Sequence, residues 1–165
     1  MSLSFSTYLK HAWLKAATDD SLGTLLNLCQ IKIMKGTKPV ASGGYTGADQ
    51  ACNVSDLLAT IDVNGTGGTF ATAALGVLFK TVAEVWSTAH NTGNDATGVA
   101  TWFRLGLYAD EGSDNWAKID TSFNAYFRID GTVGVAGSGA DMILANTSLI
   151  LDASLTIDVF QITLP

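Results

Sequence analysis

The sequence predicts a mainly β protein, an antiparallel β-sandwich or jelly-roll-like barrel with one N-terminal amphipathic helix. Three observations carry that expectation. Short runs rich in Thr, Ala, Val and Ile recur, above all from Thr97 to Pro165, with Gly-containing turns between them. Apolar positions in these runs follow a two-residue period. Only one stretch, Ser4 to Thr18, has the spacing of three and four residues that a helix needs. At 165 residues, with no internal repeat, the chain reads as a single domain over 1–165.

In the opening stretch Phe5, Leu9, Ala12, Trp13 and Ala16 share one helical face, Ser4 or Ser6 is available as the cap, and Asp19, Asp20 and Gly23 end it. Cys29, Ile31 and Ile33 then alternate with Gln30, Lys32 and Met34, which defines a first strand. Gly36 to Pro39 closes it, and Ser42 to Gly47 has the composition of a surface loop. Leu57 to Val63 alternates again. Asn64 to Gly68 supplies the positive-φ positions of a hairpin whose partner strand runs from Thr69 towards Ala74. Ala73 to Phe79 reads equally as strand or short helix, Val82 to Ser87 as a strand, and Thr88 to Gly98 as a loop.

Val99 to Tyr108 is a strand rich in aromatic and β-branched residues. Its adjacent Trp102 and Phe103 face opposite sides, so one of them is a candidate outer-face contact. An acidic insertion, Ala109 to Asp120, precedes a strand from Phe123 to Ile129, a turn at Asp130-Gly131 and a strand from Thr132 to Val135. In the terminal run Leu155, Ile157 and Val159 share one parity and Phe160, Ile162 and Leu164 the other. A β-bulge near Val159 or Phe160 would reconcile them. An apolar strand at this end is expected to tuck into a sheet.

Charged residues make up 15% of the sequence and hydrophobic ones 47%, so Ser, Thr, Asn, Gly and Ala must cover much of the exterior. Such a surface suits contact with neighbouring proteins. The net charge of -6 repels phosphate backbones, which argues against nucleic acid as a partner. Lys32, Lys35 and Lys38 are the nearest approach to a basic cluster, and they read as guards on the solvent face and edge of a strand. There is no apolar run of 18 residues, and Met1 to Phe5 lacks the basic flank and apolar core of a secretory signal. No membrane partner is expected, and the protein is expected to start in a cytoplasm. Cys29 and Cys52 lack CxxC spacing; Cys29 reads as a small core hydrophobe, and a disulfide between the two is the less favoured reading.

Reactive constellations are sparse. His11 and His90 have no carboxylate at metal-ligand spacing and read as solvent-facing or locally bonded imidazoles. Gly137-Ser138-Gly139 lacks the frame of a nucleophile elbow or phosphate loop and reads as a turn between strands. Asp110, Glu111, Asp114 and Asn115 form the densest group of oxygen ligands, but not at EF-hand spacing. They read as a solvated acidic loop, with a calcium loop as the alternative. No pair of carboxylates stands out. The expectation is a non-enzyme with no catalytic residue, no metal and no cofactor.

Several of these segments are similar to those of a family of small virion structural proteins of tailed bacteriophages. Leu3 to Ala12 resembles the family's helical opening, and Ile31 to Pro39 its first strand and turn. Gly98 to Arg104 and Asp130 to Gly134 resemble its central strands, and Ser138 to Ser148 with Phe160 to Pro165 its C-terminal strands. Tyr108 to Tyr126 is longer and more acidic than the family's short hairpin. The resemblance implies a β-sandwich with no catalytic residue to transfer, acting as a capsid decoration, or cement, protein in the virion. Its expected partners are the major capsid protein or other virion proteins and its own copies, as a trimer. The alternative is a tail, baseplate or fibre component that binds a host-surface receptor. Leu3, Phe5 and Tyr8 in the N-terminal segment, with Tyr45 and Trp116 in loops, are the candidate assembly contacts.

Overall fold

Alternating side chains, with the β-branched Ile31 and Ile33 on one face, make Cys29–Met34 a strand, and every residue of it is buried. In the computed structural model, which describes residues 3–7, 26–44, 46–72, 77–88, 93–107 and 127–163, thirteen strands are connected mainly by turns. The protein is mainly β, built of antiparallel sheets with almost no helix among the described residues. The largest sheet joins β1 (Ser4–Phe5), β9 (Arg128–Gly134), β8 (Trp102–Leu107), β2 (Cys29–Met34) and β3 (Leu57–Ile61) in that order. A short β10 (Met142–Ile143) runs parallel to β9. The remaining strands form β4 (Phe70–Thr72), β5 (Val77–Lys80) and β13 (Gln161–Thr163) in one sheet, with the pairs β6 (Trp86–Ser87) to β12 (Thr156–Ile157) and β7 (Gly98–Val99) to β11 (Ser148–Leu149).

One face of the large sheet supplies Ile31, Ile33, Ala59, Ile61, Phe103, Leu105 and Ile129 to a single apolar core. The small sheets close over it with Leu78, Trp86, Leu149, Ile157 and Ile162. Phe160 links the layers: its ring meets Phe103 edge-on at 5.7 Å, and Phe70 meets Trp86 edge-on at 5.4 Å.

Several expectations are corrected. Ser4–Phe5 is a strand rather than the first turn of a helix, because Ser4 and Phe5 pair with Asp130 and Ile129 and the Ser6 N–H donates to the Arg128 carbonyl. The rest of that expected helix, 8–18, lies outside the described residues. Asn64 and Gly65, both at positive φ, do form the tight turn between Val63 and Thr66. The strand beyond it pairs with β5 instead of β3, because Gly68 exchanges hydrogen bonds with Cys29 and turns the chain away. Val82 to Val85 is a turn held by Glu84, leaving only Trp86–Ser87 as strand. The expected strand from Val99 is interrupted at Ala100 and Thr101, whose N–H groups donate to Thr147 and Met34.

Asp130-Gly131 is no turn but the middle of β9. Gly131 is needed there for closeness, since a Cβ would strike the Phe103 ring. The parity change in the terminal run needs no bulge: the chain leaves β12 at Ile157 and joins a different sheet at Gln161. Trp102 and Phe103 do face opposite sides, yet both are buried, so neither is an outer-face contact. Lys32 is only 4% exposed at the centre of the sheet and guards no edge. Gly137 and Gly139, both at positive φ, lie in the turn expected between strands.

Candidate functional site

Two regions hold polar groups in unusual settings. The first is the second face of the large sheet. Strand register places Thr60, Lys32, Arg104, Asp130 and Ser4 opposite one another, a polar row crossing all five strands from β3 to β1. Lys32, Arg104, Asp130 and the neighbouring Gln30 and Arg128 are all buried. Arg104 and Asp130 form a two-pronged ion pair, Nε to Oδ1 at 2.7 Å and Nη2 to Oδ2 at 2.8 Å. The remaining guanidinium donors reach the loop above: Nη1 donates to the Gln50 carbonyl at 3.0 Å and Nη2 to the Gly47 carbonyl at 3.4 Å. The guanidinium also sits 5.7 Å from the Trp102 ring centre.

That loop in turn clamps the N-terminal strand. Asp49, in the 3-10 turn Gly47–Asp49, accepts from the Thr7 N–H at 2.8 Å and from Thr46, while the Ala48 N–H donates to Ser4 Oγ at 3.1 Å. Burial pushes the Asp49 carboxyl up, but hydrogen bonds from Thr7 and Thr46 outweigh it and hold the carboxyl below its ordinary value. At Asp130 the balance reverses: burial pushes the carboxyl up, and the Arg104 charge opposes this without cancelling it. Cys52 lies 3.7 Å from Arg104 Nη1, yet burial pushes its thiol up to about 11, so it is a protonated packing residue beside Met34 and Trp102. Cys29 is likewise a free, buried thiol, in the other cluster.

The second region is a surface groove of about 540 Å³ lined by Asn94 and by most of the residues between 143 and 159. Leu149 and Ile157 are buried along it, whereas Ile143, Ile150 and Val159 are 50%, 64% and 77% exposed. Strands β11 and β12 contribute to its walls, and among the described residues each pairs with one strand. Asn94 is woven into the turn at 150–153. Its N–H donates to the Ala153 carbonyl at 2.9 Å, its carbonyl accepts from Asp152 at 3.1 Å, and its Nδ2 donates to the Ile150 carbonyl at 3.0 Å. Exposed apolar side chains over a hydrogen-bonded scaffold can do one thing well, which is to bury themselves against another surface.

Of the expected assembly contacts, Leu3 and Phe5 are half-buried and pack against the main core. Tyr8, Tyr45 and Trp116 lie outside the described residues, as do His11, His90 and the Asp110 to Asn115 loop. Among the described residues no three His, Cys, Asp or Glu side chains are grouped as metal ligands, and no helix is long and apolar enough to cross a membrane. The sequence reading passed over the groove because its exposed residues belong to short runs with no regular period. The ion pair did leave a trace, a single charge, Arg104, inside an otherwise apolar strand and Asp130 two residues from Arg128 in the next. No protein-family model, no curated protein and no solved structure matches the chain.

Proposed function

We propose that the protein is a bacteriophage virion structural protein that acts by adhesion, as a capsid decoration protein binding the assembled shell. In this reading the sheets pack as a β-sandwich, and the groove along 143–159 presents the contact surface. The observation that carries it is the row of exposed Ile143, Ile150 and Val159 above a floor of Leu149 and Ile157. Apolar side chains held in water at that density gain free energy when a partner covers them. The resemblance of its strand segments to those of tailed-phage virion proteins supplies the setting.

The mechanism is added buried area. A trimer docked across neighbouring shell subunits, with about 1,000 Å² or more at each interface, raises the free energy needed to separate them, because it binds the assembled state and not the dispersed one. Band densitometry of purified virions tests the reading. Hundreds of copies per particle are expected; a dozen or fewer would move the protein to the tail, and absence from the particle would end the proposal.

A further inference from the structure

Asn64-Gly65 is the one Asn-Gly pair in the chain, and Asn64 is exposed to water. In such a pair the glycine nitrogen can attack the preceding carboxamide, because no side chain on the glycine hinders the approach. The fold sets that reaction under control. Val63 and Thr66 exchange both backbone hydrogen bonds, at 2.9 and 3.0 Å, and Thr66 Oγ1 adds a third to the Val63 carbonyl at 2.7 Å. The central φ values, 50° at Asn64 and 73° at Gly65, are those of a type I′ turn, whose first central residue has a ψ of about +30°.

At that ψ the Gly65 nitrogen stands roughly opposite the Asn64 Cβ across the Cα–C bond. Closing the five-membered ring needs the two nearly eclipsed, so no rotamer of the Asn64 side chain brings its carboxamide carbon to the nitrogen while the turn is shut. Asp62 adds a second restraint. Its Oδ1 accepts the Gly65 N–H at 3.0 Å, and a carboxylate there disfavours loss of the proton that attack requires. Asp62 is itself fixed, 2% exposed and exchanging backbone hydrogen bonds with Ser87.

The chain beyond the turn has no slack. A Cβ on Gly67 would lie 2.0 Å from the Leu28 carbonyl carbon, and one on Gly68 would lie 2.2 Å from the Trp86 ring. Gly68 also exchanges hydrogen bonds with Cys29, at 2.6 and 3.1 Å. An extra backbone atom inserted at 64–65 therefore disturbs a seat in the main core.

We propose that Asn64 is a deamidation site gated by its own turn: shut, the 62–66 turn withholds the Gly65 nitrogen, and opened, it lets the pair react and so marks chains that have lost the turn. In the open form the Gly65 nitrogen gives its proton to water and bonds to the Asn64 Cγ, and the carboxamide nitrogen leaves as ammonia. Water then opens the succinimide. Cleavage at the former backbone carbonyl gives isoaspartate, with the chain running through the side chain, and cleavage at Cγ gives aspartate. The net change is carboxamide plus water to carboxylate plus ammonia.

The test is peptide mapping by mass spectrometry during incubation of the full chain at mildly alkaline pH, with a synthetic peptide spanning residues 61–70 as reference. Asn64 in the folded wild type should deamidate about tenfold or more slowly than in the peptide. Asp62→Ala should move the rate towards that of the peptide, and Asp62→Asn, whose carboxamide oxygen still accepts the Gly65 N–H, should move it less. Because Asp62 is buried and its loss can unfold the chain, Thr66→Val at an exposed position gives an independent reading, with about a threefold rise expected from the lost hydroxyl bond. Wild type deamidated in urea and returned to buffer should refold with a lower melting temperature than untreated protein carried through the same steps.

A folded wild type that reacts as fast as the peptide would overturn the gate. So would a slow wild type matched by every variant, which would place the protection outside the turn. Slower reaction in both Asp62 variants would make Asp62 a base that drives the chemistry, the reverse of the role assigned to it. An unchanged melt after deamidation and refolding would remove the consequence for the core.

Discussion

The charged face of the large sheet and the 143–159 groove both take polar atoms out of water, and they do so to opposite ends. On the sheet, Arg104 spends its donors on Asp130 and on the Gln50 and Gly47 carbonyls, and the carboxylate is met on both oxygens. In the groove, Asn94 uses three of its groups on the 150–153 turn and leaves its side-chain oxygen unmet. A satisfied polar layer rigidifies, whereas a buried acceptor left without a donor costs stability. The difference teaches where to look for structure and where for recognition: the ion pair holds the 46–52 loop and β1 in place, and the groove faces outward.

The sharpest way to break this contrast is Asp130→Asn, which leaves Arg104 charged and buried without a counter-charge. It should cost about 3–5 kcal/mol in urea denaturation, and the double change Arg104→Met with Asp130→Leu should recover most of the loss. If the double variant is as unstable as the single one, the pair is not acting as a unit. Next in size is Gly131→Ala on the same strand. Its Cβ would press into the Phe103 ring and approach Leu3 Cδ2 at 2.9 Å, so a loss of about 1–3 kcal/mol is expected. A turn at this position would tolerate alanine in any open conformation, so a neutral result would argue against the strand.

On the apolar face Ile33→Val should cost only about 0.5–1.5 kcal/mol, since a methyl group is lost and no charge is stranded. Acid titration separates two carboxylates of the polar side. The lowered Asp49 pKa means its contribution is fully present above the ordinary carboxylate value and is lost as pH falls through the lower, folded value. Asp49→Asn should therefore flatten the acid limb of the stability curve below about pH 4 while changing little above the neutral range's slope. Asp130, whose pKa is raised, contributes with the opposite sign: its share declines as pH rises through the folded value. Smallest of all, replacing Ile143, Ile150 or Val159 in the groove with serine should in each case alter stability by no more than about 0.5 kcal/mol.

Much of the fold was legible because period-two patterning is a local property. The Cys29 to Met34 strand, the Asn64-Gly65 turn and the turn around Gly137 to Gly139 could all be read from neighbouring residues. Sheet membership could not. Nothing local distinguishes a Gly68 that closes a hairpin from one that bonds to Cys29, and nothing in Asp130-Gly131 announces an Arg104 two strands' worth of sequence away. Alternation read as one face in and one face out misplaces Lys32: the loop at 46–52 packs on the polar face, and only the folded chain brings it there. The groove escaped notice for a related reason, because it assembles from strand ends and turns between 143 and 159 whose exposure is set by what they fail to pair with.

The proposed decoration role, with the 143–159 groove as its contact surface, is tested most directly by particle occupancy. Purified virions carrying the Ile143→Ser, Ile150→Ser, Val159→Ser chain would be compared with wild type by densitometry, alongside thermal melts of both free proteins. Occupancy should fall at least tenfold with the melting temperature unchanged. Full occupancy of the triple variant, with the protein folded, would contradict the account.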